Sequence, residues 1–545
     1  MMKQPANRTW RAWQRISMSG RLALFVAALA PMTIWILSGA VLARPFEVLT
    51  WTLLCACLAA SLPGRGTRLS AWVVILLLPW TLAWVGTVAV TGAGPSNAVM
   101  DSAVAGALHE VWTGMQLAAM SPAFIAVALM TIATCVWAVR ANLRAKKSTG
   151  NLVGVVFLCC LAPISAVLVD AGGHQSFARI AGPEPRISVA WLSHLGVAKE
   201  AISAAVNQAV FGRQLSEQPV RNASTAARQF DAMPGLGVFI VSESLRADAL
   251  VAEGRGRWST ALRTRIENGL GVRLPDACAG ANSTFTSVPR LLTAVDIADV
   301  SGAAGNPTLL ALAKAGGAKT AYINNQEIWV LPESGHDLLH KTSSMEVHAY
   351  DEVVVEVLAD FVKRSASGPK AALLHLYGVH FHYEDRYPPD LFEAEPLGMS
   401  GASLAEFRYA RAAEYGLRVL MLAAAILDDQ ATPAFLVFTS DHGENLPSDG
   451  SGKRYHAGPS SGRNDTIVPT LVLWNEAFRA SGRTEALKEF AKKAGTLIAH
   501  RDVARLWLTL EGHQGKWSPT VNPMTWAALN PGERVGPVSC ADLGP

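Results

Sequence analysis

Apolar and polar positions alternate along this chain on two different length scales. Over residues 1–171 the apolar runs are long: Leu22–Leu42, Phe46–Leu62, Ser70–Val90, Pro122–Val139 and Leu152–Val169 stand between short charged segments. A helix rising 1.5 Å per residue needs about 20 mostly apolar residues to cross a bilayer core, with about 17 as the lower limit. The pattern therefore predicts five transmembrane helices, the second and fourth the shortest. Past residue 171 the runs shrink to strand length. Gly237–Ser242, Thr320–Asn324, Ala371–Leu376, Ala434–Thr439 and Thr470–Trp474 read as parallel strands buried on both faces. Helical periodicity fills the gaps at Thr308–Ala315, Asp351–Ser365, Leu404–Leu427 and Thr484–Ile498. Strands alternating with helices predict an α/β domain around a central, mostly parallel sheet over residues 229–545. Residues 172–228 join the two parts. They carry an amphipathic helix, Val197–Phe211, with Val197, Ile202, Ala205 and Val210 set against Lys199, Glu200 and Gln208.

Charge gives the first part an orientation. Of the 545 residues 50% are hydrophobic and only 17% charged, which excludes a disordered chain. The net charge of +4 is an average over unlike parts. Residues 1–171 hold 12 Lys and Arg against 4 Asp and Glu, whereas the remainder holds 35 against 39. Lys3, Arg8, Arg11, Arg15 and Arg21 precede the first span, Arg65 and Arg68 follow the second, and Arg140, Arg144, Lys146 and Lys147 follow the fourth. The other two connections carry Arg44 alone. Cations retained on the cytoplasmic side place the N-terminus in the cytoplasm and everything beyond Val169 outside it. A cleaved signal peptide would account for the first run but not for the four behind it. No charge falls in mid-membrane, which argues against a channel or pump. With its cations accounted for by membrane orientation, the chain offers nucleic acid no basic patch.

Chemistry collects where strands stop, the place where open α/β sheets bind ligands. The first strand runs into Glu243. The third contains His375 and leads to His380 and His382, and the fourth runs into Ser440-Asp441-His442-Gly443-Glu444, with His456 further on. One such histidine or acid alone reads as a structural histidine or a helix cap. Three strand ends bearing oxygen and imidazole donors, without thiolates, point instead to a zinc- or manganese-type site. The loop Asn282-Ser283-Thr284-Phe-Thr286-Ser287-Val-Pro289-Arg290 supplies hydroxyls, which need a base or a metal to become nucleophiles. Five of the 7 cysteines lie in or beside the spans, and the two exported ones, Cys278 and Cys540, offer one disulfide in an oxidising compartment.

Taken together, these segments resemble the membrane-anchored phosphoethanolamine transferases of Gram-negative bacteria, in the alkaline phosphatase/sulfatase superfamily. Glu243-Ser-Leu-Arg246-Ala-Asp248 is similar to the family's E-T-x-R-x-D segment, and Ser283–Pro289 to its nucleophile loop. His375–Pro388 is similar to its H-x-x-G-x-H…RYP block, and Ser440–Glu444 with Tyr455-His456-Ala-Gly458 to its SDHGE…LHG block. The resemblance implies an alkaline phosphatase/sulfatase-like exported domain behind five spans, in a bacterial inner membrane with the domain in the periplasm. It implies Thr284 as the nucleophile and a zinc ion held by Glu243, Thr284, Asp441 and His442. It further implies phosphoryl-oxygen or second-metal roles for His380, His456 and His375, and a substrate contact for Asn325. The implied donor is a phospholipid such as phosphatidylethanolamine, the implied intermediate a phospho-threonine. The acceptor is lipid A, a lipopolysaccharide core sugar, another glycan or a protein. The chain departs from the family in having Arg290 after Ser-x-Pro where relatives carry Cys, and Trp329 where relatives often carry Lys. Phosphoglycerol transfer and sulfatase-type hydrolysis on the same fold are the enzymatic alternatives. For a sulfatase signature Arg290 stands one position too early. A membrane scaffold without chemistry is a further alternative, against which the intact set Glu243, Thr284, Asp441 and His442 argues.

Overall fold

The computed structural model describes residues 230–250, 256–294, 307–326, 336–342, 349–365, 367–451, 454–456, 461–515, 519–520, 522–527 and 536–543, together with Ile125 and Leu129. Apart from Ile125 and Leu129 in the fourth, the five expected spans lie outside the described residues, as do the amphipathic helix Val197–Phe211 and Trp329. Among the described residues no helix is long and apolar enough to cross a membrane.

The described elements belong to one compact unit. It begins with β1 (Leu236–Ser242), α1 (Arg257–Glu267), β2 (Gly271–Arg273), β3 (Asp276–Cys278) and α2 (Thr284–Leu292). Next come α3 (Leu309–Ala315), β4 (Lys319–Asn324), β5 (Leu338–Lys341), α4 (Glu352–Arg364), β6 (Lys370–His375), α5 (Gly401–Asp428) and β7 (Ala434–Ser440). Then follow β8 (Ile467–Val468), β9 (Leu471–Trp474), α6 (Glu476–Ala480), α7 (Thr484–Lys493), β10 (Leu497–Ala499) and α8 (His500–Leu510). A final hairpin pairs β11 (Met524–Ala527) with β12 (Gly536–Ser539).

The main sheet has seven strands in the order β2-β9-β7-β1-β6-β4-β5. All seven residues of β1, LGVFIVS, are buried, as expected of a strand covered on both faces. The period of two divides its side chains between two cores. Leu236, Val238 and Ile240 pack with Leu262 of α1, Val354 and Leu358 of α4, and Leu417 and Leu420 of α5. Phe239 and Val241 pack with Val288 and Leu291 of α2, Leu310 of α3 and Val503 and Trp507 of α8. Burying a side chain of this size is worth about 1.5–3 kcal/mol. Helix ends obey the same local chemistry: Thr308 caps α3 by accepting from the Ala311 amide, and α4 opens on Glu352 and closes on Lys363 and Arg364.

Two expectations need correction. The sheet is mostly parallel, as expected, with β7, β1, β6, β4 and β5 running parallel, but it is mixed at one edge, where β9 is antiparallel to β7 and β2 antiparallel to β9. The run Thr470–Trp474 was expected to be a parallel strand. A parallel return needs a crossover that carries the chain back along the sheet, and none of the described residues between β7 and β9 is helical. The second correction concerns Thr484–Ile498, expected as one helix. It stops at Lys493, and Leu497–Ala499 instead forms β10, paired with β3. Residues Ala494-Gly495-Thr496 interrupt the helix, and Ile498 finds its burial in that three-stranded sheet.

Register brings the site together. Ser242 of β1 is paired with Ser440 of β7, Val241 with His375 of β6, and His375 with Asn324 of β4. Four parallel strands therefore end at one level, and whatever follows each of them meets the others. Beside this edge Cys278 and Cys540 form a disulfide with Cα atoms 6.2 Å apart, tying the segment after β12 to the strand that leads into α2.

Candidate active site

Glu243, the first residue beyond β1, is fully buried, as are Asp441 and His442 beyond β7. Thr284 opens α2, with Ser283 at its N-cap, and is 7% exposed. Its hydroxyl donates to Glu243 Oε2 at 2.9 Å and stands 3.2 Å from His442 Nε2. The same His442 nitrogen is 3.2 Å from Glu243 Oε1 and 3.3 Å from Asp441 Oδ2. Thr284, Glu243, Asp441 and His442, which the sequence places far apart, thus meet at one point.

The donor set suits a zinc ion on several grounds. Ligands about 2.0–2.1 Å from a tetrahedral zinc stand about 3.3–3.4 Å from one another, close to the separations among these atoms. Asp441 Oδ1 accepts from the Ser244 and His442 amides, whereas the buried Oδ2 has no hydrogen bond. A buried carboxylate oxygen left so is costly unless a cation claims it. His442 Nδ1 is 2.8 Å from the Gly443 carbonyl, an obligate acceptor, so Nδ1 carries a proton and Nε2 is the nitrogen left to face a cation. Glu243, His380 and His456 form a second cluster of metal-type ligands sharing Glu243 with the first. His380 Nδ1 donates to the Phe381 carbonyl at 2.7 Å, again leaving Nε2 as a lone pair.

Electrostatics point the same way. Burial and the charge of Glu243 push the Asp441 carboxyl well above the usual range. Burial opposes ionisation of Glu243 too, but His442, His380 and His456 hold its carboxyl well below that range. Burial disfavours a charged His442, yet Asp441 and Glu243 raise it to about 10. The Asp441 carboxyl and the His442 imidazole thus retain protons that a divalent cation would displace. Burial lowers His375 to about 4 and both His380 and His456 to about 3, so these rings are neutral.

The remaining residues singled out in the sequence lie nearby in different settings. His375 ends β6, buried on the Tyr322 side of the sheet, and belongs to neither ligand cluster. Asn325 donates to the Ala349 carbonyl and to Asp351 Oδ1, and the two oxygens of Asp351 accept from the Tyr377 and Gly378 amides. Asn325 thereby braces the loop that carries His380.

Three contributors were not assigned from sequence. Gln326, just past β4, donates to Glu243 Oε2 at 3.1 Å and to the Leu376 carbonyl at 2.7 Å; the only signal for it was its place after the Asn324-Asn325 pair. Ser440 Oγ accepts from the Leu245 amide and donates to the His442 carbonyl, binding the two ligand loops together. Glu444, inside the quoted SDHGE segment, lies 3.3 Å from His456 Nδ1.

Comparison with known proteins gives the family and the fold. A protein-family model described as Sulfatase matches residues 236–513, just over half the chain. Phosphoethanolamine transferase EptC of Escherichia coli O18:K1:H7 (strain RS218 / NMEC) is 25% identical over 228 residues. That alignment spans 38% of this chain and 38% of the relative's length. Among solved structures, the integral membrane lipooligosaccharide phosphoethanolamine transferase A (EptA) from Neisseria meningitidis aligns with a TM-score of 0.62 at 16% identity. The match covers 91% of this chain and 96% of that one, a likeness of fold.

Proposed function

The chain belongs to the sulfatase family, and from that premise we propose that it is a membrane-anchored, zinc-dependent phosphoethanolamine transferase. The observation that carries this reading is the Thr284 hydroxyl at the start of α2, 2.9 Å from Glu243 and 3.2 Å from His442, among buried oxygen and imidazole donors. The E. coli relative, itself a phosphoethanolamine transferase, supports extending that chemistry to this chain.

The zinc would be held by Glu243, Thr284, Asp441 and His442. When bound, it lowers the pKa of an attached hydroxyl and offsets negative charge gathering at phosphorus. Thr284 Oγ1 attacks the phosphorus of a phospholipid such as phosphatidylethanolamine, forming a Thr–O–P bond. The bond from phosphorus to the glycerol oxygen breaks. The Thr284 proton, directed at Glu243 Oε2, is the one needed by the departing diacylglycerol oxygen. In the second half a hydroxyl of lipid A, a lipopolysaccharide core sugar, another glycan or a protein attacks phosphorus, the Thr–O–P bond breaks, and Thr284 recovers a proton. His380, neutral and with its Nε2 lone pair available, is suited to the phosphoryl-group or second-metal role that the resemblance implies. His456 shares that cluster, where a second cation would also fit.

The reading places the five predicted spans in a bacterial inner membrane and the described domain in the periplasm. The Cys278–Cys540 disulfide supports an oxidising compartment. A lipid donor accounts for the anchor, since nucleophile and phosphodiester must meet at the membrane surface.

Head-group labelling tests the proposal. With the purified full-length protein, labelled ethanolamine should move from phosphatidylethanolamine to an envelope acceptor, and Thr284→Ala should move none. Transfer of labelled glycerol from phosphatidylglycerol instead would make the chain a phosphoglycerol transferase. Transfer unchanged in Thr284→Ala would remove the nucleophile assignment.

A further inference from the structure

Behind the ligand cluster lies a histidine that touches none of the four candidate ligands' side chains. His500, the first residue of α8, is 3% exposed and faces both loops of the site. Its Nδ1 is 3.3 Å from the Gly280 amide nitrogen, and its Nε2 is 2.9 Å from the Ser440 carbonyl oxygen. A main-chain N–H can only donate and a carbonyl can only accept. These two contacts therefore fix the ring as the neutral tautomer that accepts at Nδ1 and donates from Nε2. Ser287, one turn into α2 from Thr284, also lies 3.3 Å from Nδ1, and its hydroxyl donates to the Asp441 carbonyl at 2.6 Å. A closed circuit results: the Gly280 amide and Ser287 flank one side of the ring, Ser440 the other, and Ser287 returns to Asp441.

The loop carrying Thr284 and the loop carrying Asp441 and His442 lie far apart along the chain, and close to the site they are joined by hydrogen bonds rather than by covalent bonds. Their separation decides whether Thr284 Oγ1 completes the ligand set. We propose that His500 is a positioning residue that sets this separation, so that zinc affinity depends on its two-sided hydrogen bonding and not merely on its bulk. The proposal deepens the reading above and rests on its assignment of the four ligands. Burial holds the ring at a pKa of about 3, consistent with one tautomer serving throughout the working range.

The test uses the full-length protein in detergent and zinc alone as the probe, titrated against a competing chelator. His500→Leu keeps bulk and loses both hydrogen bonds. Its zinc affinity should fall by about 10- to 100-fold, the usual cost of removing a partner from behind a metal ligand. His500→Gln, whose amide retains one acceptor and one donor, should recover most of that loss. Thermal melting in chelator separates folding from binding: a lower melting temperature in His500→Leu with unchanged zinc affinity would mean a purely structural role and overturn the proposal. If His500→Leu does not fold, Ser287→Ala decides, since it removes the same circuit's link to Asp441. Weaker zinc binding in that variant supports the proposal and unchanged binding overturns it. A wild type that binds no zinc also overturns it. A wild type that binds zinc but transfers no head group would overturn the transferase reading alone and leave the His500 comparison intact.

Discussion

Glu511 shows how much a single buried group can matter away from the site. It follows α8 near the start of β1, and its carboxyl packs against Gly237, where an added Cβ would come within 1.5 Å of Oε1. The residue is fully buried, and neither oxygen has a hydrogen bond. Burial pushes its carboxyl well above the usual range, with Arg483 opposing only in part. A carboxyl raised in the folded state holds its proton there while the unfolded chain releases it near pH 4.3. Its contribution is thus complete below that pH and is lost as pH rises toward the folded value. Glu511→Gln removes the linkage. The variant should melt several degrees above wild type at pH 8, where about 1 kcal/mol corresponds to roughly 2–4 °C in a large domain, and together with it at pH 4. An equal or lower melting temperature at pH 8 would contradict this. At the residue scale, Glu243, Asp441, His442 and Thr284 could be read from sequence because each sits in a compact segment where a strand or loop ends. Gln326 and His500 could not: their partners Glu243 and Ser440 lie 83 and 60 positions away, and no local pattern marks that meeting.

Among elements, the crossing of two strand ends carries the most weight. Gly378, beyond β6, has φ +58°, and an added Cβ would lie 2.4 Å from the Glu243 nitrogen and 2.6 Å from its carbonyl oxygen. Backbone contacts that short cannot relax by a rotamer change, so one loop must move. Gly378→Ala should displace Glu243, lowering kcat/KM at least about tenfold and depressing the melting temperature. Gly317→Ala serves as its control. Gly317 also has positive φ (+100°), but nothing lies within 4 Å of its Cβ position. It should lose about 1 kcal/mol of stability and keep its activity. Equal effects in the two variants would show that backbone strain, and not the approach to Glu243, sets the outcome. Element types followed from periodicity wherever a strand was buried on both faces, as in β1, β6 and β7. Direction did not follow, because an apolar four-residue run such as β9 looks the same parallel or antiparallel; the connection before it decides. Short pieces that owe their form to a partner, such as β3 paired with β8 and β10, carry no periodic signal of their own.

For the whole molecule, the charge asymmetry is the sequence's clearest statement. The excess of cations in residues 1–171 and the slight acidic excess beyond them predict an anchor and an exported domain. The described domain is a mixed sheet between two helical layers, with the loops that carry Glu243, Asp441 and His442 gathered at one edge. Every functional step proposed for it passes through one atom, Thr284 Oγ1. Intact-protein and peptide mass spectrometry of the full-length protein, quenched after exposure to phosphatidylethanolamine and zinc, therefore tests the central claim most directly. The account predicts a phosphoethanolamine-sized mass increment on the peptide containing Thr284, absent from Thr284→Ala. An increment on another residue, or head-group transfer at the wild-type rate by Thr284→Ala, would contradict it.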